Sequence, residues 1–105
     1  MKIPILISNN VKLRGLKRGR VILNLSDNQR ILFGFGGSDG IVEEKSCIFL
    51  NGGKLIFNGS ARFATGCRIR VDSGTLIFGS NFSANKNCFF SCSDKITIGD
   101  DVLFG

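Results

Sequence analysis

The chain has 105 residues and a formal net charge of +6, with 43% hydrophobic and 21% charged residues. These proportions are typical of one small globular domain and argue against a disordered chain. The sequence contains no histidine, which excludes a Ser-His-Asp triad, a Cys-His pair and a His-ligated zinc site within it.

The first ten residues, MKIPILISNN, contain only a short apolar stretch. A secretory signal needs a longer apolar region, and a membrane span needs about 18 or more consecutive apolar residues. No run of that length occurs in the sequence. We therefore expect a cytoplasmic protein without a membrane-inserted segment.

A cluster of basic residues follows, formed by Lys12, Arg14, Lys17, Arg18 and Arg20. Such a cluster can attract nucleic acid or anionic lipid. No aromatic residue interrupts it, and neither a helix-turn-helix nor an RNA-binding signature follows it. We interpret it as a solvated basic face or as a contact for an anionic small molecule, and we expect no nucleic-acid partner.

Residues 11–25 alternate weakly between apolar and polar side chains, which predicts one or two leading strands. We assign residues 1–29 to N-terminal capping strands and residues 30–105 to the coils of a single domain. A degenerate first coil is predicted around 33–50, where the polar loop 37–44 interrupts it. No segment has a helical period, so the predicted fold class is all-β.

An internal repeat fills the second half of the chain. The segment 55–57 (LIF) returns as 76–78, a shift of 21 residues. The segment 78–82 (FGSNF) then matches 98–102 (IGDDV) at a shift of 20. Several positions agree at each shift, so we interpret the pattern as a solenoid of stacked coils.

Within each unit a large apolar residue recurs every six positions, as in Phe57, Phe63 and Ile69. This spacing fits neither a helix nor simple strand alternation. It predicts a chain that runs straight, turns a corner and repeats, with three segments to a coil of roughly 18 residues. Stacked coils would place equivalent residues in ladders about 4.8 Å apart. The predicted ladders are Phe57/Phe78/Ile98, Phe63/Ala84/Phe104 and Ile69/Phe90.

The four cysteines are Cys47, Cys67, Cys88 and Cys92. They lack a C-x-x-C spacing and neighbouring ligands, so we expect no metal. The repeat places Cys67 over Cys88 at a separation that permits a disulfide. A cytoplasmic compartment favours thiols, and we therefore expect reduced cysteines.

Two segments carry a resemblance to a known family, 81–88 (NFSANKNC) and 95–105 (KITIGDDVLFG). They resemble the hexapeptide-repeat O-acetyltransferases, in particular the maltose and galactoside acetyltransferases and the sugar acetyltransferases of bacterial surface-polysaccharide clusters. The resemblance covers residues 53–105 and, more loosely, 30–52. It implies that the all-β fold is a left-handed parallel β-helix.

The resemblance also implies an enzyme that transfers an acetyl group from acetyl-CoA to a saccharide hydroxyl without a metal. The implied assembly is a homotrimer with active sites between subunits and acetyl-CoA in a groove between neighbouring helices. In such enzymes a histidine removes the proton from the acceptor hydroxyl as it attacks the thioester. A backbone N–H stabilises the oxyanion that forms.

Asn85 matches the asparagine with which the family hydrogen-bonds its acceptor, so the resemblance assigns it to substrate binding. An asparagine at a coil corner can equally serve a left-handed backbone. The acidic residue that assists in the sugar enzymes is replaced here by Cys92 and Ser93. The family places its catalytic histidine downstream of the segment that matches 102–105, so we expect it beyond Gly105.

Two functions therefore stay open. In the first, which the resemblance implies, the chain is the N-terminal portion of an O-acetyltransferase. A solenoid needs a polar cap, and Gly105 would end the stack in mid-coil, so we expect the chain to be a truncated piece. In the second, it is a non-catalytic β-solenoid scaffold or a degenerate remnant that only self-associates. A histidine-bearing coil encoded directly after Gly105 would separate the two.

Overall fold

The structure, a computed structural model, describes residues 5–7, 11–16, 19–35 and 46–104. The predicted loop 37–44, Lys17 and Arg18 of the basic cluster, and Gly105 lie outside these residues. No helix that could cross a membrane occurs among the described residues. The strands are β1 (Ile5–Ile7), β2 (Val11–Arg14), β3 (Val21–Leu23), β4 (Ile31–Phe33), β5 (Ser46–Asn51), β6 (Lys54–Phe57), β7 (Ala61–Phe63), β8 (Arg68–Asp72), β9 (Thr75–Phe78), β10 (Phe82–Ala84), β11 (Phe89–Cys92), β12 (Lys95–Ile98) and β13 (Leu103–Phe104).

The strands form three sheets, which are the sides of a stack. The first sheet has the order β1-β4-β7-β10-β13, the second β11-β8-β5-β2 and the third β12-β9-β6-β3. The chain visits the three sheets in turn, and each strand pairs in parallel with the equivalent strand of the next turn. The predicted all-β stack of parallel strands, a solenoid-like architecture, is confirmed.

The leading strands pair in the same way as the later ones. In the first sheet Ile5 pairs with Ile31, and in the third sheet Val21 pairs with Leu55. Both pairings are parallel, like those of the turns that follow. Strands β1, β2 and β3 therefore make the first turn of the stack, and the kind of pairing does not change at residue 30.

All three predicted ladders are present. Their members face each other on neighbouring strands of one sheet, in the sets Phe57/Phe78/Ile98, Phe63/Ala84/Phe104 and Ile69/Phe90. The pairing continues into the earlier turns, where Leu23 lies beside Phe57 and Phe33 beside Phe63. Successive strand residues point to opposite sides of a sheet, so alternate positions face the interior.

Phenylalanine rings fill that interior. Phe33, Phe57, Phe63 and Phe78 are among its largest fully buried side chains. The ring of Phe63 meets Phe78 edge-on at 5.2 Å between centroids and lies 5.0 Å from Phe33. Aromatic pairs at such distances stabilise a core beyond the area that they bury. Packing alone therefore accounts for these phenylalanines.

Candidate functional site

Asn85 lies at the corner where the chain passes from the first sheet to the second, between β10 and β11. Its backbone N–H donates to the Phe104 carbonyl at 2.9 Å. Its own carbonyl accepts a hydrogen bond from the Cys67 thiol at 3.1 Å. Both neighbouring turns thus fix the backbone of Asn85, while the residue itself is exposed.

The left-handed backbone of this corner belongs to Asn87. Asn87 has a φ of 63°, and Gly66, at the equivalent place one turn earlier, has a φ of 83°. The Asn87 N–H donates to the Thr65 carbonyl at 3.3 Å, which ties the two corners together. Asparagine and glycine are the residues that tolerate this conformation best. Asn85 does not adopt a positive φ, so the backbone explanation for an asparagine does not apply to it.

An open groove of about 460 Å³ lies at the same corner. Its lining consists of Ala64, Asn85, Lys86 and Asn87. The two amides supply both hydrogen-bond donors and acceptors, and the lysine supplies further donors. Such a lining suits a ligand with several hydroxyl groups. The structure thus places the residue assigned to the acceptor in an accessible polar groove.

The Cys67 thiol, which donates to the Asn85 carbonyl, is a poor nucleophile. All four cysteines are free in the structure. Burial, the largest cause, raises the pKa of the Cys67 thiol above its ordinary value of 9.0. A thiol with a raised pKa stays protonated at neutral pH. Cys92 is also buried, and its thiol donates to the Thr75 carbonyl at 3.4 Å.

The carboxylates of Asp100 and Asp101 stabilise a corner of the stack by hydrogen bonds to the previous turn. Asp100 Oδ1 accepts the Ser80 N–H at 2.8 Å, and Asp101 Oδ1 accepts the Asn81 side-chain amide at 2.9 Å. Asn81 and Asp101 both take left-handed backbone, with φ values of 57° and 59°. Hydrogen bonding between turns therefore explains the acidic pair without a ligand. Across the described ranges, no three His, Cys, Asp or Glu side chains gather in a way that could hold a metal ion.

A second groove, of about 390 Å³, opens on the outer side of the first sheet. Arg30 and Arg62 line it together with Ser60, Asn81 and Ser83. Ser60 is partly engaged, because its hydroxyl accepts the Arg30 backbone N–H at 3.1 Å. Both arginines are exposed. This groove was not predicted from the sequence, because equivalent positions such as Arg62 and Ser83 carry different residue types and reveal no shared chemistry.

The outer side of the second sheet combines cations with aromatic rings. Strand alternation and parallel register place its outward side chains in two columns. These columns are Lys12/Cys47/Arg68/Phe89 and Arg14/Phe49/Arg70/Ser91. We call these eight residues the outer basic face.

Sequence analysis found only part of this face. It grouped Lys12 and Arg14 with their neighbours along the chain rather than with Arg68 and Arg70. Arg20 of that group is not part of the face, and its guanidinium donates to the Gly52 carbonyl at 2.8 Å. Applying the 21-residue shift to outward positions, and not only to inward ones, would have brought Cys47, Arg68 and Phe89 together.

Comparison with known proteins gave no relative. No protein-family model matches the chain, and neither a curated protein nor a solved structure does.

Proposed function

We propose that the chain supplies β-helix coils of an acetyl-CoA-dependent O-acetyltransferase, which modifies a saccharide hydroxyl in bacterial surface-polysaccharide or sugar modification. The observation that carries the proposal is the position of Asn85. Within a segment that resembles the acetyltransferase pattern, its side chain is exposed in a polar groove, and the backbone geometry of the corner does not require it.

The proposed fold is a left-handed parallel β-helix with hexapeptide repeats. Three sheets visited in turn support it. So do Phe57, Phe63 and Ile69, which are six residues apart, lie on successive sheets and are all buried. A left-handed coil is an exception to the right-handed crossover that parallel strands usually follow.

In the proposed reaction the Asn85 amide hydrogen-bonds the acceptor, and a general base removes the proton from its hydroxyl as the oxygen attacks the thioester carbonyl. The C–S bond then breaks, and the CoA thiolate leaves with the proton that the base has taken up. Cys67 is unsuited to that role because it is buried and its pKa is raised. Asp100 and Asp101 already accept hydrogen bonds within a corner. We propose that the base is a histidine encoded beyond Gly105 and that a backbone N–H stabilises the oxyanion.

We further propose that the protein works in the cytoplasm as a homotrimer. Support for the assembly comes from Ile22, Ile56 and Ile77, which lie side by side on the outer side of the third sheet. All three are partly exposed. A contiguous apolar strip on a protein surface favours contact with another protein, and closed symmetric assemblies are the common outcome for identical chains.

The test compares this chain with a longer one that continues into the first encoded histidine beyond Gly105. Thiol release from acetyl-CoA is measured with a panel of mono- and oligosaccharides. We expect the longer chain to gain saccharide-dependent release, to lose it when that histidine is replaced by alanine, and to lose about tenfold in Asn85→Ala. A longer chain with no activity above background would favour the non-catalytic scaffold instead.

A further inference from the structure

Four cations make a rectangle of positive charge on the outer basic face. Lys12 and Arg68 share one column, Arg14 and Arg70 share the other, and all four are exposed. The two cations of a column are separated by one strand, which places them about 9.6 Å apart. The columns are two residues apart, or about 6.6 Å. The cations are therefore spread out rather than clustered at one point.

One carboxylate borders this rectangle. Arg70 Nε donates to Asp72 Oδ2 at 2.9 Å, and the Asn51 amide donates to Asp72 Oδ1 at 3.2 Å. The hydrogen bond from Arg70 is the main reason why the pKa of Asp72 lies below its ordinary value. The four cations of the face and the bordering carboxylate of Asp72 sum to three net positive charges.

Two phenylalanines alternate with the cations. Phe49 lies between Arg14 and Arg70, and the Arg70 guanidinium sits 5.2 Å from its ring centroid. Phe89 lies next to Arg68 and is 63% exposed. Removing a large apolar side chain from water is favourable. An aromatic ring exposed among cations is therefore suited to a ligand that has an apolar face as well as negative charge.

The spacing favours an acidic glycan over nucleic acid. Duplex DNA presents one negative charge about every 1.7 Å along its axis, and single strands have a phosphate at every nucleotide. Cations about 6.6 Å apart between the columns and about 9.6 Å apart along each column suit a polymer of lower charge density. A polysaccharide that carries a carboxylate on every sugar or on every second sugar has such a charge density. The C–H faces of its rings can pack on phenylalanine.

The face also adjoins the groove that Asn85 lines. Phe89 begins β11 at the end of the corner that starts with Asn85. Arg68 directly follows Cys67, whose thiol donates to the Asn85 carbonyl. We infer that the outer basic face docks an acidic polysaccharide and directs one of its hydroxyl groups to the groove of Asn85. This inference rests on the proposed function only for the choice of a saccharide as the ligand.

The test measures binding without acetyl-CoA, by biolayer interferometry on immobilised polygalacturonate, amylose and a single-stranded oligothymidylate. The variant is Lys12→Glu/Arg68→Glu. Its matched control is Lys54→Glu/Lys95→Glu, because these exposed lysines are likewise two strands apart in one column, on the outer side of the third sheet. We expect polygalacturonate to bind best, the variant to bind it at least about tenfold more weakly, and the control to change by less than about twofold.

Absence of polygalacturonate binding would overturn the inference, and so would three further results. Equal weakening in both double variants would reduce the binding to net charge. Tighter binding of the oligothymidylate would identify a nucleic-acid surface, and equal binding of amylose would exclude a role for the cations. These results are independent of catalysis. If the longer chain acetylates neutral sugars while polygalacturonate does not bind, the docking inference fails and the proposed function stands. If polygalacturonate binds and the longer chain is inactive, the reverse holds.

Discussion

The rings of Phe57 and Phe78 stack 5.3 Å apart, centroid to centroid, with an interplanar angle of 11°. They occupy paired positions on β6 and β9, and both are buried. Each ring thus covers the other along the axis of the stack. A change in either one affects the contact between two successive turns.

Phe78→Ala should lower the free energy of unfolding by about 3–5 kcal/mol, because it leaves a cavity in a close-packed core. A domain of this size has about 5–15 kcal/mol in total. The control is Phe89→Ala, an exposed position that should change stability by less than about 0.5 kcal/mol. Urea unfolding measures both. A loss below about 1 kcal/mol in Phe78→Ala would contradict the aromatic core.

Alanine substitution should affect the stability of the fold at Asn87 but not at Asn85, although both lie at the same corner. Asn87→Ala should cost about 1 kcal/mol of folding free energy, since alanine disfavours the left-handed backbone found there. Asn87→Gly should keep most of the stability. Asn85→Ala should leave stability within about 0.5 kcal/mol of the wild type. Thermal unfolding of the three variants tests this, and equal losses at both asparagines would show that the corner depends on both side chains.

Cys67 should make the protein sensitive to alkali. Its pKa in the folded state is raised above 9.0, mainly by burial, so the folded chain holds the thiol proton more tightly than the unfolded chain does. The stabilisation is fully present below the unfolded pKa and is lost as the pH rises toward the folded one. Urea unfolding above about pH 9 should show a steeper decline in the wild type than in Cys67→Ala. Parallel declines would mean that the thiol does not contribute.

The isoleucine strip of the third sheet should control self-association. We expect the wild type to be a trimer by multi-angle light scattering and Ile56→Lys to shift it toward the monomer, because a buried unpaired charge is costly at an interface. Phe89→Lys, which adds the same charge to the second sheet, should not dissociate it. A wild-type monomer at high protein concentration would rule out this assembly.

This chain, purified by itself, should transfer no acetyl group to any sugar. It contains no histidine, and general-base catalysis alone is worth a factor of about 10²–10⁴. Thiol release from acetyl-CoA with a saccharide panel is the measurement. Turnover that persists in Cys88→Ala and in Cys92→Ala would show that another group in the chain acts as the base.

The second half of the fold was predictable because its core positions repeat at a nearly constant interval. Packing forces that regularity, since Phe57 and Phe78 must lie on the same side of successive turns. The first half was harder to interpret. Residues 34–45 separate β4 from β5, whereas residues 64–67 separate the corresponding β7 and β8. A longer connection leaves the stacking intact but shifts the spacing on which a repeat search depends.

The candidate sites were less predictable than the fold. Asn85 came from a resemblance in its segment, and no periodicity identifies it. The partnership of Arg68 with Lys12 was missed because outward residues are not constrained by packing and so do not repeat in kind. Their proximity follows from the register of three strands, which becomes evident only when the turns are stacked.

Separation of the inside from the outside has an evolutionary consequence. The three sheets of the stack enclose one shared interior, but their outer sides differ in chemistry. The third sheet carries isoleucines, the second carries cations with phenylalanines, and the first has an arginine-lined groove. Because outward side chains are not part of the interior, we expect substitutions on one side to leave the other two sides and the register unchanged. Duplication of a whole turn would lengthen every side by about 4.8 Å. Such a scaffold can lengthen its outer faces in fixed steps, without redesign of its core.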